Sequence, residues 1–263
     1  MTAPPKVVIL AGGLGTRLSE ETTMKPKPMV EVGPEPILWH IMKIYSSQGH
    51  SDFVVCAGYK QEVIKKYFID YEMNHGNVRI DLGRSQVKIM DKSAVDWRVE
   101  IVDTGLSTMT GGRIKRIERF VAGDDFFLLT YGDGLADIDL GHLVEHHHRK
   151  KAAVTVTAVQ PAGRFGSLTL SDEDMVVDFT EKPKGDKNWI NGGFSVMTPE
   201  VFDYIEGDTT VWEQGPMSRL ASAGRVAAYK HRGFWRAMDT MTDKRQLDQI
   251  WASGTPPWKI WTD

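Results

Sequence analysis

The sequence predicts an α/β protein built on a mostly parallel central sheet. Three observations carry that expectation. Short continuous apolar runs, such as Val7-Val8-Ile9-Leu10-Ala11, read as strands buried on both faces. Through the first half these runs alternate with segments of helical periodicity, the pattern of βαβ units. Two of the runs pass into glycine-bearing loops, Gly12-Gly13-Leu14-Gly15 and Tyr131-Gly132-Asp133-Gly134. In open sheets of this class, ligands sit outside the carboxyl ends of strands.

The elements follow in order. Val7 to Ala11 is the first strand. Leu38, Ile41, Met42 and Tyr45 recur at helical spacing, so a helix covers about 36–48 and Gly49 ends it. Asp52 to Ala57 is the second strand, and Ile64, Tyr67 and Phe68 mark a helix from near Gln61. Asn77 to Met90 alternates as a hairpin, with Val78, Ile80 and Leu82 answered by Val87 and Ile89. Trp97 to Val102 is a strand, and Ile114, Ile117 and Val121 place a helix at about 111–121. Asp125 to Thr130 is a strongly apolar strand, followed by a helix from about Asp139, a plausible N-cap, to Lys150. The second half is richer in strands: Ala153 to Val159, Ser167 to Leu170, Met175 to Thr180, Phe194 to Met197 and Arg225 to Lys230. Helices are expected at about 199–205, 212–223 and 240–252, before a tail rich in proline and tryptophan. These strands are expected to extend the sheet and cover one side of a cleft. With 263 residues and no linker-like stretch, the chain reads as one domain, residues 1–263, with lobes at about 1–150 and 151–263.

Lys and Arg number 32 against 35 Asp and Glu, for a net charge of −3. So weak a balance gives no field for nucleic acid or an anionic membrane, and no apolar stretch approaches the roughly 18 residues of a membrane span. The single cysteine, Cys56, lies in an apolar run and reads as a small buried hydrophobe, with the reducing cytoplasm as the expected compartment. A homo-oligomer is the expected assembly, and Trp251, Trp258 and Trp261 either form an interface or pack on their own subunit.

The glycine loop permits left-handed backbone and close approach of N–H groups to an anion, and Arg17 adds a planar fork for phosphate; a plain tight turn is the alternative. Dinucleotide spacing fails, because Gly13 and Gly15 are followed by Leu18, and no Walker loop is present. Lys27 sits between Pro26 and Pro28 on a stiffened segment, either reaching a phosphate or lying solvated. Asp133, at a strand end between Gly132 and Gly134, suits Mg²⁺, which takes one or two carboxylates plus phosphate oxygens. For Asp239 the local sequence favours capping of the following helix by Asp239 or Thr240. His146-His147-His148 is expected on a solvated helix face, since adjacent helical residues point in different directions.

Leu10-Ala11-Gly12-Gly13-Leu14-Gly15-Thr16-Arg17-Leu18, with Lys25-Pro26-Lys27-Pro28-Met29 downstream, resembles the signature of the sugar-nucleotide pyrophosphorylases. Tyr131-Gly132-Asp133, Glu181-Lys182-Pro183 and Asn191-Gly192-Gly193 follow in the family's order, and the resemblance runs nearly end to end. Pro36-Ile37-Leu38-Trp39-His40-Ile41-Met42, Asp103-Thr104-Gly105, Thr108-Met109-Thr110-Gly111-Gly112-Arg113, Gly163-Arg164-Phe165-Gly166 and Trp258-Lys259-Ile260-Trp261 look most like its glucose-1-phosphate cytidylyltransferases. Pro34 departs from the family's usual residue at that turn, outside the binding motifs. The resemblance implies a Rossmann-like nucleotidyltransferase fold with a strand-rich sugar-binding lobe. It implies CTP and glucose 1-phosphate as substrates and Mg²⁺ as cofactor. By motif, Leu10, Ala11, Gly12, Gly13 and Leu14 would contact the nucleotide, and Gly15, Thr16 and Arg17 the triphosphate. Lys27 would bind phosphates, Thr108 and Arg113 would lie near the cytidine, and Asp133 and Asp239 would hold the metal, with Gly132 beside them. Glu181, Lys182, Asn191 and Gly193 would face the sugar phosphate. Alternatives are a UTP- or dTTP-using enzyme, a catalytically silent nucleotide-binding regulator, and an NAD oxidoreductase that the glycine spacing counts against.

Overall fold

The computed structural model describes residues 4–91, 95–161, 167–171, 173, 175–180 and 188–262. At its centre lies a mixed sheet. Val7–Leu10 pairs in parallel with Asp52–Ala57 on one side and Phe127–Tyr131 on the other, and Arg98–Asp103 adds in parallel to Asp52–Ala57. Ser195–Met197 pairs antiparallel with Phe127–Tyr131 and with Val154–Val159, which takes Val226–Lys230 in parallel and Ile190–Asn191 antiparallel.

The strands are buried on both faces, which is why they read as unbroken apolar runs. Val7 and Ile9 point into one apolar layer, Val8 and Leu10 into the other. Helices Ile37–Ser46, Gln61–Ile69, Leu140–Lys150 and Met241–Ala252 contribute to the first layer through residues such as Ile41, Ile64, Leu143 and Leu247. Ile114, Val121 and Leu220, from Thr110–Arg116, Glu118–Val121 and Gly215–Ser222, fill the second. Each layer draws on both halves of the chain.

Several expectations change. The helix expected at 111–121 is interrupted at Ile117, whose ψ of 3° is not helical. The helix expected at 199–205 is a 3₁₀ segment, Pro199–Tyr204, and 212–223 narrows to Gly215–Ser222. Ser167–Leu170 and Val176–Thr180 pair with each other. Trp235–Ala237, not anticipated as a strand, pairs with Gly134–Ala136. The histidine triplet is not a fully solvated face. His147 is buried and its Nδ1 meets Thr155 Oγ1 at 2.9 Å. Burial pushes its pKa down to about 4. Helix Leu140–Lys150 packs on the sheet, so one residue of any adjacent three must face inward. Trp258 and Trp261 are buried on their own subunit around His40, and Cys56 is buried with its thiol pushed up to about 12 by burial.

Candidate active site

The sheet brings two parallel strand ends together, with Leu10 opposite Tyr131. Gly132 N donates to Leu10 O at 3.0 Å, so the glycine loop and the Tyr131-Gly132-Asp133 turn leave the sheet side by side. The antiparallel pairing of Gly134–Ala136 with Trp235–Ala237 then sets the residue before one strand beside the residues after the other. Met238 N donates to Asp133 O at 2.8 Å, and Asp239 follows. Two carboxylates far apart in sequence thus meet at one point.

Capping does not claim Asp239. Thr240 is the N-cap of Met241–Ala252 and forms a capping box with Asp243. Asp239 instead turns to cations. Lys27 Nζ donates to Asp239 Oδ1 at 2.8 Å and to Asp133 Oδ2 at 2.5 Å. Arg17 Nη2 lies 3.1 Å from Asp239 Oδ1. The two cations differ in setting: the Arg17 side chain is 70% exposed and that of Lys27 only 13%. Pro26 is extended, at φ −69° and ψ 153°, and Pro28 and Met29 are buried, so the stem of Lys27 is fixed and its ammonium enters the cleft. Lys25 points to Glu21 and Glu31 instead. Burial lowers the Lys27 pKa, but Asp133 and Asp239 outweigh burial and hold it above its ordinary value.

The glycines divide their work. Gly15 adopts φ +64°, the left-handed region where side chains are strained. Gly12 serves close approach: a Cβ there would lie 2.1 Å from Arg113 Nη1. The buried Arg113 guanidinium donates to Gly12 O at 2.9 Å, Thr104 Oγ1 at 2.7 Å and Gly105 O at 2.8 Å. It ties the glycine loop to the segment after strand Arg98–Asp103.

A cleft of about 350 Å³ gathers the predicted Leu10, Ala11, Gly12, Gly13, Gly15, Thr16, Arg17, Lys27, Thr108, Arg113, Gly132, Asp133 and Asp239. Leu14 is exposed outside that lining. Gly193 lies against the Tyr131 ring, where an added Cβ would sit 3.2 Å from Cδ2, and Asn191 Oδ1 accepts from Gly193 N; neither lines the cleft. Glu181 and Lys182 lie outside the described residues. Sequence reasoning missed the wall formed by Tyr131 and Thr110. Glu213 joins them, accepting from Tyr131 Oη at 2.6 Å and from Thr110 Oγ1 at 2.7 Å. Burial first, and then Glu213, push the Tyr131 phenol above its ordinary range. Tyr131 heads a motif already singled out; Glu213 arrives from a loop with no local signal. The donor set fits a hard cation: two carboxylates converge on one positively charged group, leaving further positions for phosphate oxygens and water. Among the described residues no cluster of three or more His, Cys, Asp or Glu is placed to hold a metal.

The nucleotidyl transferase family matches residues 6–236. Glucose-1-phosphate cytidylyltransferase of Salmonella typhi is 52% identical over 258 residues, covering 97% of this chain and 99% of its own. The probable glucose-1-phosphate cytidylyltransferase of Bacillus subtilis (strain 168) is 45% identical over 257 residues, covering 97% and 100%. Among solved structures, HddC from Yersinia pseudotuberculosis has a TM-score of 0.70 at 22% identity, covering 94% of this chain and all of that one, a likeness of fold.

Proposed function

The chain belongs to the nucleotidyl transferase family, and from that premise we propose how its cleft works. It transfers the cytidylyl group of CTP to α-D-glucose 1-phosphate, giving CDP-glucose and pyrophosphate. The observation that carries the site reading is the convergence of Lys27, Arg17, Asp133 and Asp239 beside the glycine loop.

The sugar phosphate is already ionised at neutral pH, so attack on the α-phosphorus requires no general base. The obstacle is repulsion between two polyanions. Lys27 and Arg17 supply positive charge where negative charge accumulates, the Lys27 ammonium being aimed into the cleft beside Asp133 and Asp239. Gly12 and Gly13 line the cleft with backbone N–H groups for phosphate oxygens. Thr108 lines the side assigned to the base, and Arg113 holds that side by its carbonyl contacts. Asp133 and Asp239 would hold Mg²⁺. When bound, that ion supplies charge neutralisation of the phosphates. Glu181, Lys182, Asn191 and Gly193 are proposed for the sugar phosphate, in line with the family motifs. Residues 1–263 are read as one unit, since both apolar layers draw on both halves, and the single buried cysteine suits a cytoplasmic setting.

The test is pyrophosphate release with glucose 1-phosphate and Mg²⁺, run in parallel with CTP, UTP, dTTP, ATP and GTP. Release with CTP is expected. Release with UTP or dTTP instead would move the base assignment, and silence with all five would refute the reading.

A further inference from the structure

Contacts around the cleft close into a ring. The glycine loop meets the Tyr131-Gly132-Asp133 turn through Gly132 N, which donates to Leu10 O at 3.0 Å. The same loop meets helix Thr110–Arg116 through Arg113 Nη2, which donates to Gly12 O at 2.9 Å. Glu213 completes the circuit. Its Oε1 accepts from Tyr131 Oη at 2.6 Å, and its Oε2 accepts from Thr110 Oγ1 at 2.7 Å. One carboxylate thus bridges the head of the Asp133 turn and the first residue of that helix.

These links differ in kind. The first is backbone to backbone and the second is buried, whereas Glu213 is exposed. The loop that carries Glu213 is anchored without it. Met109 N donates to Asp208 O at 2.8 Å, Gly111 N donates to Thr210 O at 2.9 Å, and the Arg116 guanidinium pairs with Asp208. A carboxylate beside a site for a triphosphate is an electrostatic cost, softened by solvent. The geometry gives a reason for it: Tyr131 and Thr110 both line the cleft, and Glu213 stands behind them. We propose that Glu213 is a positioning residue, which holds Tyr131 and Thr110 at the spacing that grips the nucleotide. The inference rests on the reading of this cleft as the CTP site.

The test is steady-state pyrophosphate release by Glu213→Ala, Glu213→Gln, Tyr131→Phe and the Glu213→Ala/Tyr131→Phe double variant, each beside a melting curve. In Glu213→Ala, KM for CTP should rise about 10-fold or more, while kcat and KM for glucose 1-phosphate shift less and Tm stays within about 2 °C of wild type. The sign of the change separates the readings. Removing a surface acid with no such role would leave KM for CTP unchanged or lower it, because a negative charge near the triphosphate has gone. Glu213→Gln should return KM to within about 3-fold of wild type, since a carboxamide still accepts from one hydroxyl and donates to the other. The double variant should lose less than the product of the two single losses, because both changes remove one shared bond. A KM for CTP at or below the wild-type value in Glu213→Ala overturns the proposal. So does a glutamine variant as poor as alanine, or a double variant whose losses multiply in full. If Glu213→Ala fails to fold, Glu213→Asp decides: it keeps the charge but is one methylene too short to span both hydroxyls, so KM for CTP should still rise, and a wild-type KM there overturns the proposal. A wild type silent with every nucleotide overturns the assignment of the cleft and this inference with it. An active wild type beside an unchanged Glu213→Ala overturns this inference alone.

Discussion

Replacing Lys27 by alanine removes one ammonium held by two carboxylates, at 2.5 Å from Asp133 and 2.8 Å from Asp239. A hydrogen bond to a charged group contributes about 1.5–3 kcal/mol. Not all of that is lost from stability. The substitution also removes the cost of burying the ammonium, Asp239 keeps Arg17, and the carboxylates stay partly in contact with water. The net loss should be about 1–2 kcal/mol, which for a domain of this size lowers Tm by roughly 2–4 °C. Turnover should fall far more. Removing one preorganised electrostatic contact typically costs about 10²-fold or more, near 3 kcal/mol of transition-state stabilisation. The assay is pyrophosphate release from CTP and glucose 1-phosphate beside a thermal melt of the same preparation. Lys27→Arg separates charge from placement: it keeps the cation but replaces a point charge by a planar fork, so it should recover Tm more fully than kcat/KM. Wild-type-like turnover in Lys27→Ala would remove Lys27 from the mechanism. A collapse of Tm matching the loss of activity would make it a structural strut.

Two further outcomes follow from the same structure. Gly12→Ala places a methyl 2.1 Å from the Arg113 guanidinium, whose displacement strands three or more charged hydrogen bonds, so a loss of about 2–4 kcal/mol is expected. Gly13→Ala meets nothing within 4 Å and should melt within about 2 °C of wild type; a reversed order would refute the assignment. Acid should destabilise the fold through His40 and His147, whose pKa values burial lowers from 6.5 to about 4. Both are neutral when folded, so the unfolded chain takes up protons first. Stability is full above about pH 6.5 and is lost as pH falls toward 4, by about 3 kcal/mol for His40 and by less for the less deeply set His147. Urea unfolding at pH 7 and pH 4.5 reads the loss, and a His147→Gln variant whose stability falls just as steeply would sink its share.

What the sequence made legible is what local patterning controls. Val7–Leu10 and Phe127–Tyr131 are buried on both faces, so their apolar runs are continuous, and the loops that follow them announce the cleft. Asp139 caps its helix as expected, its side chain accepting from His142 N at 2.8 Å. Asp239 shows where this reach ends. Local rules favour a cap, and the helix does have one, but Thr240 supplies it with Asp243. What frees Asp239 for Lys27 and Arg17 is the pairing of Trp235–Ala237 with Gly134–Ala136, a contact between distant parts of the chain that no window of sequence contains. Glu213 is the same case without a motif to flag it, since only the tertiary fold sets it between Tyr131 and Thr110. The glycine loop is subtler. Its sequence implied backbone freedom for an anion, yet Gly12 makes room for an arginine of the chain's own, and Gly15 alone in the loop takes a positive φ. A glycine-rich loop at a strand end therefore reports that something must come close. Whether that is a ligand or a side chain depends on residues brought from elsewhere, which is why Gly12→Ala and Gly13→Ala, one position apart, are expected to separate so widely.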